Sequence, residues 1–149
     1  MGDIPNYYSK LGELLEKEDD NIIGQIAYAL YITFYEERQA FVSQTVMQLN
    51  KLNPSHDLIP REEWGNYIKN TDSYKILLFV KNLSIFLKTL TIENKNTIVK
   101  TLNDYGIEIT NFDKMVNDMY QKSNISFRNV TRNAMIYFRE LENKYKKNK

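Results

Sequence analysis

Catalysis needs groups that attack, donate or accept, and in this chain they are scarce. It has one histidine and no cysteine. The histidine, His56, stands beside Asp57 in "NPSHDLIP". A Ser-His-Asp triad would have to use it, yet no serine sits in a nucleophile-elbow sequence. Zinc sites rest on His and Cys ligands and helical di-iron sites on Glu-x-x-His pairs, and neither set can be assembled. The five glycines are isolated, so there is no Gly-rich phosphate loop. Carboxylate pairs remain, at Asp19/Asp20, Glu36/Glu37 and Glu62/Glu63. Adjacent acids on a helix point about 100° apart and do not converge on one substrate. Helix capping and solubility account for them. The expectation is a protein that is not an enzyme and takes no cofactor or metal.

Recognition has better candidates. Of the eleven tyrosines, Tyr28, Tyr31 and Tyr35 are spaced i, i+3 and i+7 on one side of a helical run. Tyrosine buries a large apolar area and keeps a polar tip, which suits an interface with another protein. From Gln121 onward there are eight basic residues against two acidic ones. Arg128, Arg132, Arg139 and Lys146 fall within about 40° of one another on a helix, a basic stripe that would meet a polyanion or an acidic partner. The other side carries Val130, Ala134, Phe138, Leu141 and Tyr145. That heptad-like stripe packs on the domain or, in a homo-oligomer, makes a seam of Phe138, Leu141 and Tyr145.

The stretch "SNISFRNVTRNA" sets the sharpest alternative. Asn124 can take a left-handed turn position, Ile125 an aliphatic one, Ser126 the N-cap, and Val130 the inward anchor. In this order the segment resembles the turn and recognition helix of bacterial helix-turn-helix repressors. The resemblance lies within residues 116–135 and implies DNA contact by Arg128, Asn129 and Arg132. Tyr120 stands where such motifs usually have a small residue, and Asp113 and Asp118 put acids on the first helix. The plain reading is that Ser126 caps a terminal helix with its basic face in water. Separately, "EEWGNYIKN" and the apolar helix after it resemble the Trp-Gly turn before the central helix of Bcl-2-like domains, which bind helical peptides. Asn66 stands where that family usually has Arg, there is no second family motif, and no residue role is carried over.

These residues need a scaffold. "IPNYYSKLGELLEKEDD" predicts a short first helix, and "DDNIIGQIAYALYITFYEERQAFVSQTVMQLNKL" a long run that is either one spine or is broken near Glu36–Arg38. "NPSHDLIP" is a loop, and Pro60 with Glu62 and Glu63 opens a short helix through Asn70. Asp72 or Ser73 caps the next helix, whose Ile76, Phe79, Leu83, Phe86 and Leu90 form one face, widened by Leu77, Leu78, Ile85 and Leu87; such a helix is central. "TIENKNTIVKTLNDYG" closes on Gly106 as C-cap. Two more helices follow, from about Asn111 to Gln121 and from about Ser126 to Lys147.

The chain is 149 residues long with 42% hydrophobic residues and a net charge of +1, as befits one globular domain. The charge is uneven: residues 1–65 carry five Lys/Arg against eleven Asp/Glu, residues 66–149 fifteen against eight. "ILLFVKNLSIFLKTLTI" is interrupted by Lys81 and Lys88 and falls short of a bilayer span, so no membrane is expected. The N-terminus lacks a secretory pattern, and with no cysteine a cytoplasmic location is the expectation. The reading is therefore all-α: a single compact bundle-like domain over 1–149, with six or seven helices and a long C-terminal helix. Its expected function is to bind another macromolecule as a regulator, inhibitor or small subunit. It would use the aromatic helix surface (Tyr28, Tyr31, Tyr35) and the basic C-terminal helix (Arg128, Asn129, Arg132, Arg139, Lys146). The alternative is DNA binding by the helix-turn-helix segment.

Overall fold

The computed structural model describes residues 21–33 and 35–148, without the side chains of 35–37. The predicted first helix and the carboxylates of Asp19 and Asp20 lie outside these residues. Among them there is no strand, and "IEIT" is a connection. The fold is all-α with a long C-terminal helix, as its periodicities predict.

Asn21 accepts a hydrogen bond from the Gly24 amide and caps α1, Ile22–Ile32. The long run is not one spine: it breaks just before the predicted Glu36–Arg38, and again beyond it. The first break falls at Thr33, whose hydroxyl donates to the Leu30 carbonyl. After α2, Tyr35–Ser43, the Ser43 and Thr45 hydroxyls likewise donate three residues back, to Ala40 and Val42. Hydroxyls that compete for the helix's own carbonyls loosen the ladder at both places. α3 spans Thr45–Leu52.

After the Pro-rich loop, a 3₁₀ turn at Arg61–Glu63 leads into α4, Trp64–Lys69. The cap of α5, Asp72–Leu87, is Thr71 rather than Asp72 or Ser73; its hydroxyl accepts from the Tyr74 amide. Ser73 is buried instead, its amide donating to Gln48 Oε1 and its hydroxyl to the Phe41 carbonyl. Thr91 caps α6, Ile92–Asp104. Gly106 then takes φ 84°, with its amide bonded to the Asn103 carbonyl and that of Ile107 to Leu102. This is a Schellman stop, and glycine meets its positive φ without strain.

Asn111 caps α7, Phe112–Lys147, one helix of 36 residues and about 54 Å long. The predicted turn at Asn124–Ser126 does not exist. No Gly or Pro follows Gly106, so nothing in the chain stops the helix. Ser123 and Ser126 sit buried at mid-helix, where small side chains let neighbouring helices come close.

α5 and α7 are the principal packed pair and form a spine between two cores. One core gathers α1, α6, the second half of α5 and the first half of α7, and is almost entirely aliphatic: Ile26, Ile32, Val80, Leu87, Leu102, Ile107, Met119. The other gathers α3, α4, the start of α5 and the second half of α7 around Trp64, Tyr137 and Phe138. Among the described residues no helix is long and apolar enough to cross a membrane.

Candidate binding face

The predicted recognition residues part company in the fold. Tyr28 and Tyr31 are half-buried against the aliphatic core, with the Tyr28 ring 5.9 Å from that of Phe79. The side chain of Tyr35 lies outside the described residues. Phe138 and Leu141, predicted as a seam between copies, are core residues of this chain. Phe138 is 1% exposed and stacks on Trp64 at 5.0 Å. Tyr145 alone of that stripe is exposed. Trp64, which carried the Bcl-2-like resemblance, is a core plug whose Nε1 donates to the Ile59 carbonyl. A Cβ on Gly65 would meet open space.

The basic stripe fares differently. Arg128, Arg132, Arg139 and Lys146 are exposed, and Asn129 is half-buried. No ion pair engages these arginines among the described residues. Ser126 cannot cap a recognition helix, so the helix-turn-helix geometry is absent while the outward arginines remain.

One of them belongs to a larger arrangement. Along α5, Tyr74, Leu78, Lys81, Ile85 and Lys88 recur every three or four residues on one edge. The facing edge of α7 carries Tyr120, Asn124, Phe127, Arg128 and Thr131. Where the edges meet, an open cavity of about 530 Å³ is lined by Tyr74, Leu78, Lys81, Asn124, Phe127, Arg128 and Thr131. Its floor is aromatic: Tyr74 and Phe127 pack edge to face at 5.1 Å. The Lys81 ammonium lies 5.7 Å over the Phe127 ring and 5.8 Å over Tyr120, and that of Lys88 4.8 Å over Tyr120. The negative ring faces hold both cations there, each contact worth about 0.5–1 kcal/mol in exposed settings.

Among the described residues no carboxylate pairs with them. From Ser73 to Ile92 the charged residues are Lys75, Lys81 and Lys88; from Met119 to Arg139 they are Lys122, Arg128, Arg132 and Arg139. The two acid-free runs belong to the two helices that pack on each other, so the described residues give this face one sign of charge. Sequence reading found Arg128 but missed Lys81, Lys88, Leu78, Tyr74, Tyr120 and Phe127. The signal available was the pair of acid-free runs.

A second open cavity, also about 530 Å³, lies at the aliphatic end between α1, α5 and α6. Ile22, Ile23, Phe86, Leu90 and Ile98 line it with Gln25, Asn94, Thr97 and Thr101, and among the described residues no ionisable side chain lines it. His56, at φ 55° in the Pro-rich loop, is exposed. Among the described residues no three His, Asp or Glu side chains gather as a metal site requires. Comparison with protein-family models, curated proteins and solved structures finds no match to this chain.

Proposed function

We propose that this chain is a non-enzymatic helical protein that binds another macromolecule, an anionic one, through the open face shared by α5 and α7. One observation carries the reading: Lys81, Lys88 and Arg128 crowd an aromatic floor with no carboxylate of the described residues in an ion pair with them. Uncompensated like charge costs self-repulsion in the free protein and is relieved when an anion docks. The role is that of a regulator, inhibitor or small subunit, with the intracellular setting that a cysteine-free chain fits.

A second reading is duplex DNA along the outer arginines. Its support is that Arg128, Arg132 and Arg139 are exposed on one side of α7 and make no ion pair among the described residues. It would use a straight helix laid against phosphates, not a helix-turn-helix.

Fluorescence anisotropy separates the two, with labelled polyglutamate and labelled duplex DNA as probes at low and moderate salt. In the first reading Lys81→Glu with Arg128→Glu weakens polyglutamate binding at least about tenfold, and Arg132→Glu with Arg139→Glu leaves it nearly intact. In the second, duplex binding falls steeply with salt and is lost in the Arg132/Arg139 pair. If the unaltered protein binds neither probe, both readings fall.

A further inference from the structure

Resting on the α5–α7 face as the binding surface, we propose that its occupant is an acidic segment of a partner protein that also carries an aliphatic side chain. The segment sets that side chain on Leu78 and the Phe127 edge and its carboxylates on Lys81 and Arg128. The charge half of the argument is complementarity, because the described residues that border the cavity include two cations and no acid. Its apolar half is that Leu78, 37% exposed on the cavity wall, continues along α5 into Ile85, 47% exposed. A plain polyanion would leave this apolar strip in water. A segment that alternates acids with an aliphatic residue covers both.

The rings decide against a nucleic acid. Single-stranded binding draws on ring faces free for base stacking. Here Lys88 and Lys81 lie over Tyr120, and Phe127 has Lys81 over its face and Tyr74 packed against it. A base would have to displace ammonium groups already seated, whereas carboxylates can meet those ammonium groups where they stand. Asn124 and Thr131 add neutral hydrogen-bonding groups at the wall, which suit a peptide backbone.

The test uses the full chain and three labelled probes of equal length: a peptide alternating glutamate with leucine, an all-glutamate peptide, and oligo-dT. The alternating peptide should bind about tenfold more tightly than all-glutamate, the gain expected from burying one aliphatic side chain. Leu78→Gln, a change at an exposed position, should erase that preference, so that the two peptides bind alike. Lys81→Glu with Arg128→Glu should weaken both peptides. Equal affinity for the two peptides, unmoved by Leu78→Gln, overturns the proposal while leaving the anionic-partner reading in place. Tightest binding of oligo-dT, lost on Phe127→Leu, overturns it in favour of a nucleic acid. Failure of all three probes removes the broader reading as well.

Discussion

The two ends of the molecule share the same pair of helices and are held together by different means. Between described residues, the side-chain hydrogen bonds of the aliphatic end stay local. Asn21 caps its own helix, Ser84 donates to Val80, Asn103 meets Ile109, and the exposed Lys95–Asp113 contact spans 18 residues. At the aromatic end they join distant parts of the chain. Asn53 donates to the Tyr137 hydroxyl across 84 residues, Asn133 to the Val42 carbonyl across 91, and Arg61 to Glu142 across 81. Large rings with polar tips bring this obligation with them, since a buried hydroxyl or indole N–H without a partner costs about 1–3 kcal/mol. Aliphatic side chains carry no such requirement and are placed by shape alone. Among the described residues, one end is pinned by long-range directional bonds and the other is packed. Two of the cavities differ in the same sense: of equal volume, one is lined by uncharged residues beside the aliphatic core and the other is cationic over rings.

The largest effect should come from the pinned end. Phe138→Ala removes a ring stacked on Trp64 and packed near Tyr67 and Tyr137. It should lower unfolding stability by about 3–5 kcal/mol, read from urea midpoints at constant m-value. A loss below about 1 kcal/mol would mean that the aromatic cluster collapses into the gap and is not the rigid partner in the comparison.

At the packed end the sharpest single constraint is the Gly106 stop. An alanine there must hold φ 84° against its own Cβ, which costs about 1–2 kcal/mol. Because Gly106 ends α6, the strain should appear first as faster amide exchange along α6, before any change along the second half of α7. Equal acceleration in both places would show the two cores to be one cooperative unit and would erase the distinction.

That division was only partly legible in the sequence. Gly106, Pro60 and the apolar run from Ile76 were readable because each acts through its own backbone or its own helix. The breaks at Thr33 and Ser43 were not, because a hydroxyl bonding three residues back has no distinct signature. Ser123 makes the same bond inside α7 without breaking it. Ser126 misled for the opposite reason. Its type and neighbours satisfy the grammar of a cap, but burial against the core decides its role, and burial is a tertiary fact. The cationic face hid in the same way. Lys81 and Phe127 become neighbours only once α5 and α7 pack, so Arg128 was found as one of a stripe and its aromatic companions were not. Phe138 and Leu141 were correctly placed on the apolar side of their helix. What covers that side is Trp64 and its surroundings, not a second copy.

The smallest effect tests the outermost pin. Arg61 makes a forked contact with Glu142, Nε to Oε2 at 3.0 Å and Nη2 to Oε1 at 3.1 Å, while its guanidinium also lies 5.2 Å over Trp64. The hydrogen bond from Arg61 holds the Glu142 carboxyl below the ordinary carboxylate range. The charges of Arg61, Lys146 and Arg139 act in the same direction and partial desolvation acts against them. A carboxyl whose folded value is depressed contributes stability above its unfolded value and loses it as pH falls through the folded one. The Arg61 side chain is 71% exposed, so solvent and salt screen the pair and its contribution is small. Glu142→Gln should therefore cost a little stability near neutral pH and progressively less on the acid side of the carboxylate range, in paired urea titrations at low salt. A difference that stays constant with pH would show that the fork adds no charge-dependent stability. The pinning of the aromatic end would then rest on its buried bonds alone, those of Asn53, Trp64, Ser73 and Asn133.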